Sequence, residues 1–169
     1  TTVINVQGDS PLLPPWIIQD LKNLMESREE ISLGTPAIKL SREDFETLSR
    51  RYGSGEVGGT FVTVSKSGRA LYFSKAPIPS IKRCRVGELP LWKHIGLYAY
   101  RKEMLLKFVE LDPTPLEVVE QLEQLRALEN DIDIHVIAVD YRGRTAHSVD
   151  NPSDIQIVEA IVEREGELV

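Results

Sequence analysis

Apolar positions recur along this chain with two alternating spacings, one typical of strands and one typical of helices. The strand-like runs cover residues 3–7, 31–40, 95–100 and 132–139. The helical runs cover residues 15–25, 102–109 and 115–129, and a last one follows Pro152. Because the two kinds of run alternate, the pattern predicts an α/β fold with a mixed, mostly parallel sheet flanked by helices.

An antiparallel hairpin is expected to extend this sheet. Two short β-rich runs, 61–65 and 70–74, flank the turn sequence Lys66-Ser67-Gly68-Arg69. The chain has no internal repeat, low-complexity stretch or Gly/Ser linker. We therefore expect residues 1–169 to form a single domain.

Composition and charge remove several classes of function. The formal net charge of −6 at pH 7 argues against sequence-independent binding to nucleic acid, which depends on clustered Lys and Arg. No apolar run approaches the roughly 20 residues that cross a bilayer, so no membrane span is expected. The one cysteine, Cys84, excludes an internal disulfide, and a reducing cytoplasm fits this best.

Two aspartates occupy positions that suit a divalent cation. Asp9 follows run 3–7, which is predicted to be a buried strand, and ligands of α/β sheets collect beyond strand ends. Asp150 precedes the last helix, where Asn151 is the natural N-cap and Pro152 the first residue. Both carboxylates suit Mg²⁺. The alternatives are that Asp9 merely closes a turn and that Asp150 caps the helix one residue early.

The segment from His94 to Tyr100 is predicted to form the polar wall of a pocket. In a continuous strand, His94, Gly96, Tyr98 and Tyr100 would share one face. The alternative is a buried histidine satisfied by the backbone, which is the commoner case.

The helix predicted after Pro115 carries a second polar position. Leu116, Val119, Glu123 and Arg126 would lie in one row along it. Glu123 then faces either a polar ligand or Arg126, three residues on.

Five motifs, in order, resemble one enzyme family. They are Val6-Gln7-Gly8-Asp9 with Pro11-Leu12, Ala70 to Ala76 with Ile78-Pro79, His94-x-Gly96-Leu97-Tyr98-x-Tyr100, Pro115-Leu116-Glu117 through Arg126, and Val149-Asp150-x-Pro152-x-Asp154. The chain resembles the 3-deoxy-manno-octulosonate cytidylyltransferases, or CMP-Kdo synthetases, from about residue 3 to 162. These enzymes couple CTP to an eight-carbon keto-sugar acid, release pyrophosphate, and serve lipopolysaccharide biosynthesis.

The resemblance implies a fold like that of nucleotide-diphospho-sugar transferases, a homodimer, and a Mg²⁺ ion held by Asp9 and Asp150 as the catalytic carboxylates. It also implies a set of residues around the sugar acid, with Ser74 and Lys75 near its carboxylate. The rest of that set is Gln7, His94, Tyr98, Glu123 and Gln124.

The chain also departs from the family pattern. Ser10 stands where an acidic residue is usual, and Lys75 where Arg is frequent, which leaves an amino-substituted sugar acid open. The family's nucleotide-binding loop has no counterpart before Val3. We therefore expect this chain to be the carboxy-terminal part of such an enzyme, with the amino-terminal part of the fold missing. We also expect the chain to be inactive alone. The alternative is a non-catalytic fragment for sugar binding or dimerisation.

Overall fold

The computed structural model describes residues 1–46, 59–80, 90–149 and 151–168. The strands are β1 Thr2–Val6, β2 Leu33–Lys39, β3 Thr60–Val64, β4 Ala70–Ser74, β5 Trp92–His94, β6 Leu97–Arg101 and β7 His135–Ala138. The helices are α1 Pro15–Ser27, α2 Lys102–Val109, α3 Pro115–Glu120, α4 Leu125–Glu129 and α5 Pro152–Glu165. Residues 42–46 are also helical. Cys84 and Asp150 lie outside the described residues.

All seven strands form one sheet, in the order β1-β6-β2-β5-β3-β4, with β7 paired to β2. The α/β class is confirmed, but a mostly parallel sheet was the wrong prediction, because β2 and β7 form the one parallel pair in the described ranges. Strands β1, β2 and β7 do share a direction, as alternation with helices suggested. The antiparallel β6 lies between β1 and β2, however, and sequence spacing does not reveal this insertion.

The predicted hairpin is confirmed, with β3 antiparallel to β4. Its turn includes Gly68, whose φ of 84° is a conformation that favours glycine. Beyond the turn the hairpin reaches β7. The Ala70 N–H donates to the Ile134 carbonyl at 2.8 Å, and the Val136 N–H donates to the Gly68 carbonyl at 2.7 Å. The hairpin therefore closes onto the other side of the sheet.

The predicted continuous strand through His94 and Tyr100 is wrong. Both β5 and β6 run antiparallel along β2, with His94 opposite Ala37 and Ala99 opposite Gly34. The strand breaks at Ile95 and Gly96, and the register along β2 shifts by two residues across the break. Had the pairing of His94 with Ala37 continued, Ala99 would lie opposite the residue two positions before Gly34. His94 therefore ends one strand, and Tyr98 belongs to the next.

Two further expectations about local structure are wrong. Strand β1 is not buried, because among the described residues it pairs with β6 alone, and Val6 is 46% exposed. The long helix after Pro115 is two short ones, because Gln121 adopts a left-handed φ of 54° that ends α3. The predicted row through Val119 and Glu123 therefore does not exist.

Helix α1 covers one face of the sheet with fully buried Ile17, Leu21 and Met25. Its spacing predicted Ile17 and Leu21 on this face, but Leu24 in place of Met25, and Leu24 is only partly buried. It comes so close to β2 that a Cβ at Gly34 would lie 3.3 Å from Leu21 Cδ1. A second core centres on side chains of the sheet and of α2, α4 and the segment before β7. Its most enclosed members are Leu33, Val62, Phe73, Leu125 and Ile134.

The last helix begins as predicted, with Asn151 as N-cap and Pro152 in its first turn. Its Val158 and Ile161 pack with Leu12, which follows β1. None of the helices in the described ranges has the length and apolar character that crossing a membrane would require.

Candidate active site

A buried aromatic cluster surrounds His94 at the end of β5. The His94 ring meets Phe73 edge-on, with centroids 5.1 Å apart, and lies 5.4 Å from the Tyr98 ring. Tyr98 in turn lies 6.1 Å from Tyr100. The strand break therefore leaves His94 and Tyr98 together, although they belong to different strands.

Burial is the main influence on the charge state of His94. It lowers the pKa of the imidazole to about 3, and the positive charge of Lys75 acts in the same direction. The ring is therefore neutral at physiological pH. One of its nitrogens, Nε2, lies 2.8 Å from the hydroxyl of Thr35, which is fully buried on β2.

Ser74 and Lys75 are held at the end of β4 by a carboxylate that the sequence did not single out. The buried Ser74 hydroxyl donates to Glu120 Oε1 at 3.0 Å, and the Lys75 backbone N–H donates to Oε2 at 2.8 Å. Glu120 closes α3, so it fixes the position of the β4 end relative to that helix. Its place among the acidic residues of α3 suggested only a favourable helix start.

Glu123 and Gln124 lie in the turn between α3 and α4. Gln124 is buried, whereas the Glu123 side chain is 67% exposed. The pKa of Tyr98 is raised chiefly by burial, with further contributions from Tyr100 and from the charge of Glu123. The charge of Glu123 thus acts on the ring that packs beside His94.

The alternative, an ion pair between Glu123 and Arg126, is present but long, with 3.7 Å between Glu123 Oε1 and Arg126 Nη2. The main partner of Arg126 is Glu117, whose Oε1 accepts from the guanidinium at 2.5 Å between two largely buried side chains. That hydrogen bond is the first cause of the lowered pKa of Glu117. Glu123 therefore remains available to solvent or a ligand.

Gln7 and Asp9 lie on the exposed segment after β1. A Cβ at Gly96 would meet Gln7 Cγ at 3.7 Å, so Gln7 adjoins the strand break between His94 and Tyr98. The Asp9 carboxylate accepts from the Ser10 hydroxyl at 3.1 Å, and the Asp9 carbonyl accepts from the Val149 N–H at 2.8 Å. Asp150 cannot be placed against Asp9, because it is outside the described residues.

The described residues contain no group of three or more His, Cys, Asp or Glu side chains that would hold a metal ion. A Mg²⁺ site of one or two carboxylates completed by phosphate oxygens is smaller than such a group. The exposed oxygens of Asp9 fit that chemistry. A Mg²⁺ ion shared by Asp9 and Asp150 therefore stays a prediction.

Comparisons with known proteins point to one enzyme family. The family model described as Cytidylyltransferase matches residues 1–134. A 3-deoxy-manno-octulosonate cytidylyltransferase of Maricaulis maris is 47% identical over 167 residues, which are 99% of this chain and 64% of that protein. One of Chlamydia caviae is 40% identical over 157 residues, 93% of this chain and 56% of that protein.

A solved structure of CMP:2-keto-3-deoxy-manno-octonic acid synthetase complexed with CTP superposes with a TM-score of 0.80 at 28% identity. The match covers 97% of this chain and 62% of that one. The chain thus spans less than two thirds of the length of these relatives. Since the family model matches most of its residues, the chain belongs to the cytidylyltransferase family.

Proposed function

We propose that the protein transfers CMP from CTP to a 3-deoxy-manno-octulosonate-type sugar acid and releases pyrophosphate, a step of lipopolysaccharide biosynthesis. The observation that carries this proposal is the 47% identity, over 99% of the chain, to a relative named for that activity. The contacts of His94 support it, because they join its motif to the one that contains Phe73 and Lys75.

The sugar acid would be held by groups of matching polarity. Lys75 supplies a positive charge for the carboxylate, and Ser74 adds a hydroxyl beside it. The aromatic rings of Tyr98 and its neighbours offer an apolar wall, and Gln7, Glu123 and Gln124 offer polar groups for the sugar hydroxyls. The ligand would thus be bound by one charge contact and several neutral hydrogen bonds.

In the proposed reaction the anomeric hydroxyl of the sugar acid attacks the α-phosphorus of CTP. A new P–O bond forms, the bond to the β-phosphate breaks, and pyrophosphate leaves as the hydroxyl proton is released. A bound Mg²⁺ would neutralise phosphate charge in this step, with Asp9 and Asp150 as its proposed protein ligands. The residues of this chain contribute mainly by orienting the sugar acid.

The remaining features belong to the same proposal. A fold like that of nucleotide-diphospho-sugar transferases is supported by the superposition with the CTP complex. The homodimer, the cytoplasmic location and the correspondence to the carboxy-terminal part of the family stay predictions from the resemblance. An ultracentrifugation run at several concentrations would test the dimer.

The test is pyrophosphate release from CTP, with Mg²⁺ and 3-deoxy-manno-octulosonate present, and with an amino-substituted counterpart as a second substrate. The product of the complete coding sequence and this chain are assayed in parallel. For the product of the complete coding sequence, we expect turnover that depends on both CTP and the sugar acid. A complete product that turns over no keto-sugar acid, while this chain still binds one, would favour a non-catalytic sugar-binding role.

The second substrate addresses a specific feature of the chain. Lys75 replaces a frequent Arg and lacks its planar fork. A preference for the amino-substituted sugar acid by more than about tenfold, or 1.4 kcal/mol, would move the assignment to that substrate.

A further inference from the structure

Three short contacts converge on the hydroxyl of Thr35. Its Oγ1 lies 2.7 Å from the Leu97 carbonyl oxygen, 2.8 Å from His94 Nε2, and 3.4 Å from the Ile95 carbonyl oxygen. Thr35 is fully buried on β2, so water cannot replace any of these partners. All three contacts lie at the break between β5 and β6.

The proton count at this hydroxyl decides the tautomer of His94. A hydroxyl has one proton, and a carbonyl oxygen can only accept. At 2.7 Å the Thr35 proton must point to the Leu97 carbonyl, since two lone pairs would otherwise face each other. The lone pair of Thr35 then faces Nε2, which must carry the imidazole proton and donate it.

The other ring nitrogen is left as an acceptor. Because burial and Lys75 keep the imidazole neutral, Nδ1 has a lone pair and no proton. Among the described residues, Nδ1 has no hydrogen-bond partner. The buried His94 keeps 7% of its surface exposed. Nδ1 is therefore left as an acceptor that a ligand can use.

We propose that Thr35 is a positioning residue that holds His94 in its Nε2–H tautomer, so that Nδ1 accepts a hydrogen bond from a donor group of the ligand. Resting on the proposed function, this assigns His94 to a sugar hydroxyl and not to the carboxylate, whose lone pairs Nδ1 would repel. The carboxylate is thereby left to the Lys75 end, and the sugar acid has one orientation in the site.

The tautomer is measured without any substrate. In protein labelled with ¹⁵N in histidine, the protonated and unprotonated ring nitrogens have well-separated shifts, and the His94→Gln variant assigns His94 among the three histidines. We expect Nδ1 unprotonated and Nε2 protonated at pH 7. The opposite tautomer, or a charged ring, would overturn the proposal whatever the enzyme turns over. A failure of the proposed function leaves this result unaffected.

Two matched pairs of variants test the effect on the ligand. Asn in place of His94 keeps an acceptor near the Nδ1 position, whereas Gln keeps a polar group near Nε2. We expect His94→Gln to raise KM for 3-deoxy-manno-octulosonate by about tenfold, with His94→Asn affected less and kcat changed less than KM in both. A larger loss in His94→Asn would contradict the proposal.

The second pair tests Thr35 itself. Thr35→Ser keeps the hydroxyl and should keep the tautomer and KM. Thr35→Val removes it and should raise KM several-fold while the His94 shifts show a mixture of tautomers. An unchanged tautomer and KM in folded Thr35→Val would overturn the role of Thr35. If Thr35→Val does not fold, the wild-type shifts and the His94 pair still decide.

Discussion

The two ends of the candidate site differ in how firmly the protein holds them. Around His94, the side chains of Thr35, Phe73 and Ser74 are buried, and each has a defined contact. Around Asp9 the side chains are exposed, and within the described ranges Asp9 has one side-chain hydrogen bond, from Ser10. The His94 end is therefore formed before a ligand binds, whereas the shape of the Asp9 end depends on what binds there. Substitutions at the two ends should separate stability from activity.

The largest effect on stability is expected at the buried end. Phe73→Ala removes a fully buried ring that packs on His94, and should lower the free energy of unfolding by about 3–5 kcal/mol. Leu71→Ala on the same strand is the control, because Leu71 is 59% exposed and should cost well under 1 kcal/mol. Urea unfolding monitored by circular dichroism measures both. Equal losses would show that the buried Phe73 ring does not hold the His94 end.

The exposed end should show the reverse behaviour. If the proposed transferase activity holds, Asp9→Asn removes a carboxylate from the phosphate-handling side and should lower kcat by about 100-fold or more. The melting temperature should hardly change, since the side chain is exposed. Asp131→Asn, at another exposed carboxylate, should leave both quantities unchanged. A stable, fully active Asp9→Asn protein would remove Asp9 from the site.

Acid should weaken the buried end. The pKa of His94 falls from 6.5 in the unfolded chain to about 3 in the folded protein, so the unfolded state binds more protons between these values. Stability is therefore complete above pH 6.5 and declines as the pH falls toward 3, by at most about 1.4 kcal/mol per pH unit from this group.

The contribution of His94 can be separated from that of other groups. His135 has a lowered pKa and shares the upper part of this window, whereas Glu117 and Glu165 contribute only as the pH falls below 4.5. The free energy of unfolding is measured at pH 6.5 and 4.5. Its decline between these pH values should be smaller in His94→Asn than in the wild type, and the decline in His135→Asn should differ less from that of the wild type. A decline unaffected by His94→Asn would contradict a buried neutral imidazole.

The smallest effect is expected at Glu120, where the end of α3 meets the end of β4. Glu120→Gln keeps one acceptor for Ser74 and Lys75 but removes the charge, and should cost about 1 kcal/mol of stability. If the proposed transferase activity holds, KM for the sugar acid should rise by less than tenfold, because Ser74 and Lys75 shift only slightly. Glu110→Gln, exposed at the end of α2, is the control. A larger effect on kcat than on KM would indicate a direct role for Glu120 in the reaction.

Local sequence signals predicted part of this molecule well. The Pro15 and Pro152 helix starts, helix 102–109 and the β3–β4 hairpin are encoded by neighbouring residues, and all are confirmed. The antiparallel β6 between β1 and β2 and the left-handed Gln121 depend on tertiary contacts. Periodicity carries no information on either, so a mostly parallel sheet and one long helix were expected instead.

The candidate site shows the same division. Residues within recognisable motifs, such as His94 and Ser74, could be named as candidates from the sequence. Thr35 was missed because a threonine on a strand has no distinctive pattern, and it is paired with a residue 59 positions away. Glu120 was missed because its acidic neighbours made it look like part of an ordinary exposed helix. A contact between distant segments leaves no signal in one sequence.

The closure of the hairpin onto β7 has a consequence for solubility of the folded chain. A strand at the border of a sheet carries unpaired amides and carbonyls that can recruit a strand from another molecule. At residues 68–70 and 134–136 these groups are used up inside the protein, because the start of β4 and β7 bond to each other. The curl of the sheet thus protects both borders there against intermolecular strand addition.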